Sequence, residues 1–113
     1  MTKRAEKIES FLRISLNHDK IFVADARPKN EGQYEYAIFL NEKNYKGYVS
    51  NKNYSEDIII FKEGEKFGFE YQDSNYQPKE NFKDLLSCIK KIAEEIFFQS
   101  VNQAVKDFSE DFE

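Results

Sequence analysis

Few side chains in this sequence have the type and spacing that chemistry requires, and each has a structural alternative. His18 is the sole histidine and stands beside Asp19. As a general base it needs a nucleophile or an orienting carboxylate, and its sequence neighbours specify neither. Its place just past an apolar-periodic segment suits a helix C-terminus, where an imidazole favours the helix dipole. Cys88 is the sole cysteine. Reactive thiols sit at helix N-termini or beside cations, whereas the spacing here puts Cys88 about two turns into a helix, beside its apolar face, as a small buried hydrophobe.

Metal and cofactor chemistry fare no better. Asp73, Ser74, Asn75, Tyr76 and Gln77 open like a calcium loop, with Asp84 at the twelfth position. The sixth position, however, is Pro78 where the turn requires Gly, and Asp84 replaces the bidentate Glu. A tetrahedral zinc site lacks further Cys or His ligands. Gly32, Gly47, Gly64 and Gly68 are too scattered to form a phosphate-cradling loop. No catalytic, metal or cofactor residue is therefore assigned. The one enzymatic alternative is a site assembled by the fold from dispersed groups such as Glu35, Glu70 and Tyr71, which requires carboxylates pointing into a cleft.

Aromatic residues are more informative. All seven tyrosines fall between positions 34 and 76. β-propensity alone produces such a bias, but so does an aromatic sheet face that meets another macromolecule. Tyr34, Tyr36 and Tyr71 are the candidates for that face. Stacking of single-stranded nucleic acid on it is a second alternative, weakened by the lack of surrounding Arg. Lys90 and Lys91 are answered by Glu94 and Glu95 one turn later, so no basic stripe emerges and nucleic acid is not the favoured partner.

The remaining candidates lie near the C-terminus. Phe82, Leu85, Ile89, Ile92 and Ile96 form one helical stripe. Leu86, Ala93, Phe97, Val101, Ala104, Phe108 and Phe112 form a second. A continuous helix over 82–112 would span roughly 45 Å, beyond the ~13 Å radius of gyration expected for a domain of this length. Its end must overhang, kink or meet a partner. Phe97, Val101, Phe108 and Phe112 are accordingly assigned to partner contact, with a homodimer as the expected state.

The elements that would position these groups are readable from periodicity. Residues 3–16 place Ala5, Ile8, Leu12 and Ser15 on one side of a helix, ended by Asn17, His18 and Asp19. From Lys20 the period becomes two, with strands near 20–26, 33–40, 58–62 and 66–72. In the second of these, Tyr34, Tyr36, Ile38 and Leu40 should share a face. A short fifth strand near 45–50 would complete a five-stranded version. Gly64 supplies the positive φ of a tight hairpin, and Asn81 with Asp84 approaches a capping box that starts the long helix. The expectation is an α+β fold: N-terminal helix, four- or five-stranded antiparallel meander, long C-terminal helix, both helices on one sheet face.

Composition sets the outer bounds. The 113 residues are 40% hydrophobic and 16% aromatic, enough for one core. Residues 107–113 hold Asp107, Glu110, Asp111 and Glu113 without a cation, so they account for the entire net charge of -4. The chain divides into a neutral domain over 1–106 and an acidic tail over 107–113. No apolar run approaches the roughly 20 residues of a membrane span, no signal segment is visible, and the lone thiol fits a reducing compartment, so a cytoplasmic location is expected. In size, acidity and α/β pattern the chain resembles small secretion chaperones in a general way. Those have a helix interrupting the strands, and none is readable between residues 20 and 72, so the resemblance implies no function. The functional expectation is a small non-enzymatic protein-binding domain: an adaptor, chaperone or inhibitor.

Overall fold

The structure, a computed structural model, describes residues 3–26, 34–52, 55–71 and 82–111, with backbone alone for 108–111. Its element order is α1 (Lys3–Leu16), β1 (Phe22–Asp25), β2 (Tyr34–Phe39), α2 (Glu42–Val49), β3 (Ile58–Glu63), β4 (Lys66–Tyr71) and α3 (Leu85–Asp111). The four strands form one antiparallel meander in the order β1-β2-β3-β4. Each strand pairs with the one before it in the chain, but only β3 and β4 are joined by a tight hairpin; the expectation of hairpin-length connections throughout fails between β2 and β3, where α2 intervenes. Gly64 has φ 62°, and with Glu63 paired to Lys66 it opens a two-residue loop of the II′ kind, whose twist matches the strands.

One face of the sheet carries the main core. Ala5, Ile8 and Leu12 from α1 and Cys88, Ile89, Ile92, Ala93 and Ile96 from α3 pack on Val23, Tyr36, Ile38, Ile58, Ile60, Phe69 and Tyr71. Both helices thus cover the same side, as their apolar stripes require. α1 ends in a Schellman turn. Asn17 adopts φ 49°, and the N–H groups of Asn17 and His18 return to the carbonyls of Ile14 and Arg13.

The opposite face holds a second cluster that the sequence did not suggest. The segment read as a fifth strand near 45–50 is the helix α2, opened by the Asn41 side chain, which accepts from the N–H groups of Lys43 and Asn44, and closed by Asn51 at φ 57°. Tyr45 and Tyr48, one turn apart, pack on Phe39, and Tyr45 also stacks on Phe22 at 4.8 Å. The Tyr48 hydroxyl donates to the Asp25 carbonyl. Spacing of i, i+3 serves a helix here; eight residues are too few for that period to declare itself.

Two other expectations change. α3 begins at Leu85, with Asp84 as the cap: its Oδ1 accepts the Ser87 N–H at 2.8 Å, and that hydrogen bond holds its carboxyl below the usual range. Phe82, placed in the helical stripe by its spacing, instead exchanges two backbone hydrogen bonds with Phe67 on the outer edge of β4. In β2 the register slips between Tyr34 and Tyr36. That irregularity puts Tyr34 opposite Phe61 and Tyr36 opposite Ile60, which alternate along β3, so Tyr34 and Tyr36 occupy opposite faces of the sheet.

Candidate functional site

Tyr36 and Tyr71, expected on an exposed contact face, are in the core under α1 and α3, at 5% and 7% exposure. The bulge sends Tyr34 to the other face, where it is half-buried beside Phe61. No open tyrosine platform is formed by these three residues, and the proposed base-stacking surface loses its geometry. The three residues named for an enzymatic alternative are not brought together. Glu70 pairs with Ile59 and Tyr71 with Ile58, so the two side chains leave the sheet on opposite sides, and Glu35 lies at the bulge two strands away. Among the described residues, no three His, Cys, Asp or Glu side chains converge in a way that would hold a metal ion.

His18 is exposed, and its Nδ1 accepts the Lys20 N–H at 3.0 Å, which ties the turn between α1 and β1. Beside it, Leu16, Lys20, Ile21, Leu40, Ile96 and Ser100 enclose a cavity of about 170 Å³, well under the roughly 300 Å³ at which small-molecule sites begin.

Cys88 lies in the first turn of α3 because that helix starts later than its spacing suggested. A helix N-terminus favours thiolate, yet the side chain is fully buried, and burial pushes its thiol up to about 12. Two results follow. Alkylation of the native protein at neutral pH should be slow and limited by unfolding. The unfolded thiol releases its proton near pH ~8.5, so the unfolded state binds fewer protons above that value, and stability should fall by up to about 1.4 kcal/mol per unit between pH ~9 and ~11. Thermal unfolding of wild type against Cys88→Ala isolates this loss, since the variant lacks it; parallel pH profiles would refute the assignment.

What the fold does present is the outer side of α3. Along its first half the helix buries one face, and from Phe97 to Asp107 every residue is exposed. Phe97, Phe98 and Val105 expose 55%, 58% and 58% of their surface, with Val101 and Ala104 between them. At about 100° per residue, this group is centred roughly 140° around the helix from Ile89, Ile92 and Ile96. From Phe97 onward the second apolar stripe therefore faces away from the protein's own sheet, whereas Ala93 of the same stripe joins the core. Residues 97–105 contain no charged side chain in a protein that is 34% charged. Of the other residues assigned to this surface, Phe108 continues the helical backbone and Phe112 lies outside the described residues. The helix runs unbroken through 107–111, so the acidic residues there extend α3.

The overhang shows in the dimensions. α3 has 27 residues, about 40 Å, and the molecule measures 49 × 33 × 27 Å with a radius of gyration of 14.8 Å, above the ~13 Å of a compact chain this long. No described helix is long and apolar enough to cross a membrane. No protein-family model matches the chain, and comparison with curated proteins and with solved structures likewise finds no match.

Proposed function

We propose that this protein is a small non-enzymatic protein-binding domain, acting as an adaptor, chaperone or inhibitor, and that its contact surface is the outward stripe of α3 around Phe97, Phe98, Val101 and Val105. The observation that carries the reading is the combination of exposed aromatic and aliphatic side chains with a complete lack of charge over 97–105. Depletion of charge and enrichment in aromatics distinguish the centre of a protein interface from ordinary surface. Among the described residues, this part of the stripe is exposed and lies on the side of α3 away from the core. The buried, unpaired Cys88 suits a reducing cytoplasm. α2 does interrupt the strands, the feature whose lack set the chain apart from small secretion chaperones, but no solved structure matches and none of the three roles is favoured by it.

Affinity capture from the source organism tests this reading. Wild type should retain a discrete set of proteins, and a Phe97→Glu, Val101→Glu variant with unchanged circular dichroism should lose them, because the substitutions bury charge in the contact. An identical captured set would move the binding surface elsewhere.

A further inference from the structure

We infer that the stripe on α3 is occupied by a second copy of this chain, the two helices running antiparallel about a two-fold axis near Val101. The inference rests on the stripe being a protein-binding surface and names its partner. Seen from the partner side, Val101 lies at the centre of the stripe, Phe97 and Ala104 on one flank, Phe98 and Val105 on the other. Two helices related by an antiparallel two-fold bring the same flank of each against the other with the sequence direction reversed. Phe98 of one copy then meets Val105 of its partner, and Phe97 meets Ala104. Every ring faces a small side chain, four times over in the symmetric pair. A parallel two-fold sets ring against ring and methyl against methyl, crowding one end and leaving a void at the other. Interdigitation of large with small is what close packing demands.

Area and charge agree with a self-contact. Each half-exposed ring offers about 100 Å², so the stripe presents roughly 350 Å² of apolar surface per copy, and two copies with their polar flanks reach about 1,000 Å², the lower limit for a specific interface. A dimer of that size dissociates on dilution. Because 97–105 carries no charge, two chains of net charge -4 meet without like charges at the contact, and a charged partner would find nothing there to pair with. The buried stripe of α3 points away from the pairing face, so the two sheets sit on opposite outer sides of the helix pair.

Sedimentation from about 1 μM to about 100 μM should show wild type passing from monomer to dimer, with Val101→Glu shifting the midpoint at least tenfold upward. Orientation is read by disulfide trapping in a Cys88→Ala background. A mixture of Phe98→Cys and Val105→Cys chains should cross-link faster between the two types than either does with itself, since only opposed positions bring Cβ atoms within about 4.5 Å. Wild type that stays monomeric at about 100 μM, or a dimer indifferent to Val101→Glu, overturns the inference. Preferential Phe98→Cys self-linking overturns the antiparallel arrangement. A monomer that still captures other proteins through the same residues would leave the protein-binding reading intact and refute the second copy alone.

Discussion

Ile92→Ala should destabilise the protein by about 2–5 kcal/mol, while Phe98→Ser, six residues further along the same helix, should change stability by no more than about 0.5 kcal/mol. Ile92 is fully buried between α3 and the sheet, so its truncation removes transfer free energy and leaves a cavity that two packed helices cannot close. Phe98 is more than half exposed, and its ring meets Phe97 in an edge-to-face contact with centroids at 6.2 Å. Against a total of about 5–15 kcal/mol, the first change is a large fraction of what holds the domain together and the second is none of it. Urea unfolding below micromolar concentration, where association does not contribute, measures both. Equal losses would mean that the far end of α3 is packed against its own domain. The contrast separates the stabilising face of one helix from the face available for contact.

That division was only half legible in sequence. Period 3.6 displays both stripes of α3 without ranking them, because periodicity records which residues share a face and not which face meets the sheet. Leu86 and Phe97 are as apolar as Leu85 and Ile96, yet they are exposed. The start of α3 and its anchoring of Phe82 to β4 were misplaced for a related reason: Phe82 keeps the helical spacing by coincidence, and the competing signal, a backbone exchange with Phe67, involves no side-chain pattern at all. α1 and the β3-β4 hairpin were readable because a long amphipathic repeat and a glycine at positive φ are each decided locally.

The tyrosines failed for a different reason. Alternation predicts one face for Tyr34 and Tyr36 only while the register holds, and a single irregularity in β2 separates them. Nothing in residues 34–36 announces it. α2 was hidden by composition, since Asn, Tyr, Gly and Val are weak helix formers and the turn residues flanking them read equally well as loop. Its traces were present nonetheless: Asn41 as cap, Asn51 past the end, and a Glu42–Lys46 pair at i, i+4 that closes to 3.3 Å and holds the Glu42 carboxyl below its usual range. Tyr48, in the segment read as a fifth strand, is a buried brace on this helix.

That brace belongs to a set of contacts whose removal should promote aggregation. β1 is an edge strand, and the Ala26 N–H bond to the Glu35 carbonyl shows that its even-numbered residues exchange the backbone hydrogen bonds with β2, so the backbone N–H and C=O groups of 21, 23 and 25 point to the open edge. Each presents a group already engaged by a side chain: Arg13 Nε donates to the Ile21 carbonyl at 2.8 Å, the Val23 N–H donates to Glu9 Oε1 at 3.0 Å, and the Tyr48 hydroxyl donates to the Asp25 carbonyl. Arg13 and Glu9 also pair with each other at 3.6 Å across one turn of α1, and Arg13 lies 5.1 Å above the Phe22 ring. An incoming strand would have to displace all of these to pair with β1. Glu9→Ala alone leaves the part-buried Val23 N–H without its acceptor and should cost about 1–3 kcal/mol. The triple variant Glu9→Ala, Arg13→Ala, Tyr48→Phe should in addition form β-rich aggregates, seen by thioflavin fluorescence and light scattering at concentrations where wild type remains clear. A triple variant that is destabilised but stays soluble would show that something other than these three side chains closes the edge, whereas aggregation with near-native content of α1 and α3 by circular dichroism would place the guarding function in the side chains themselves.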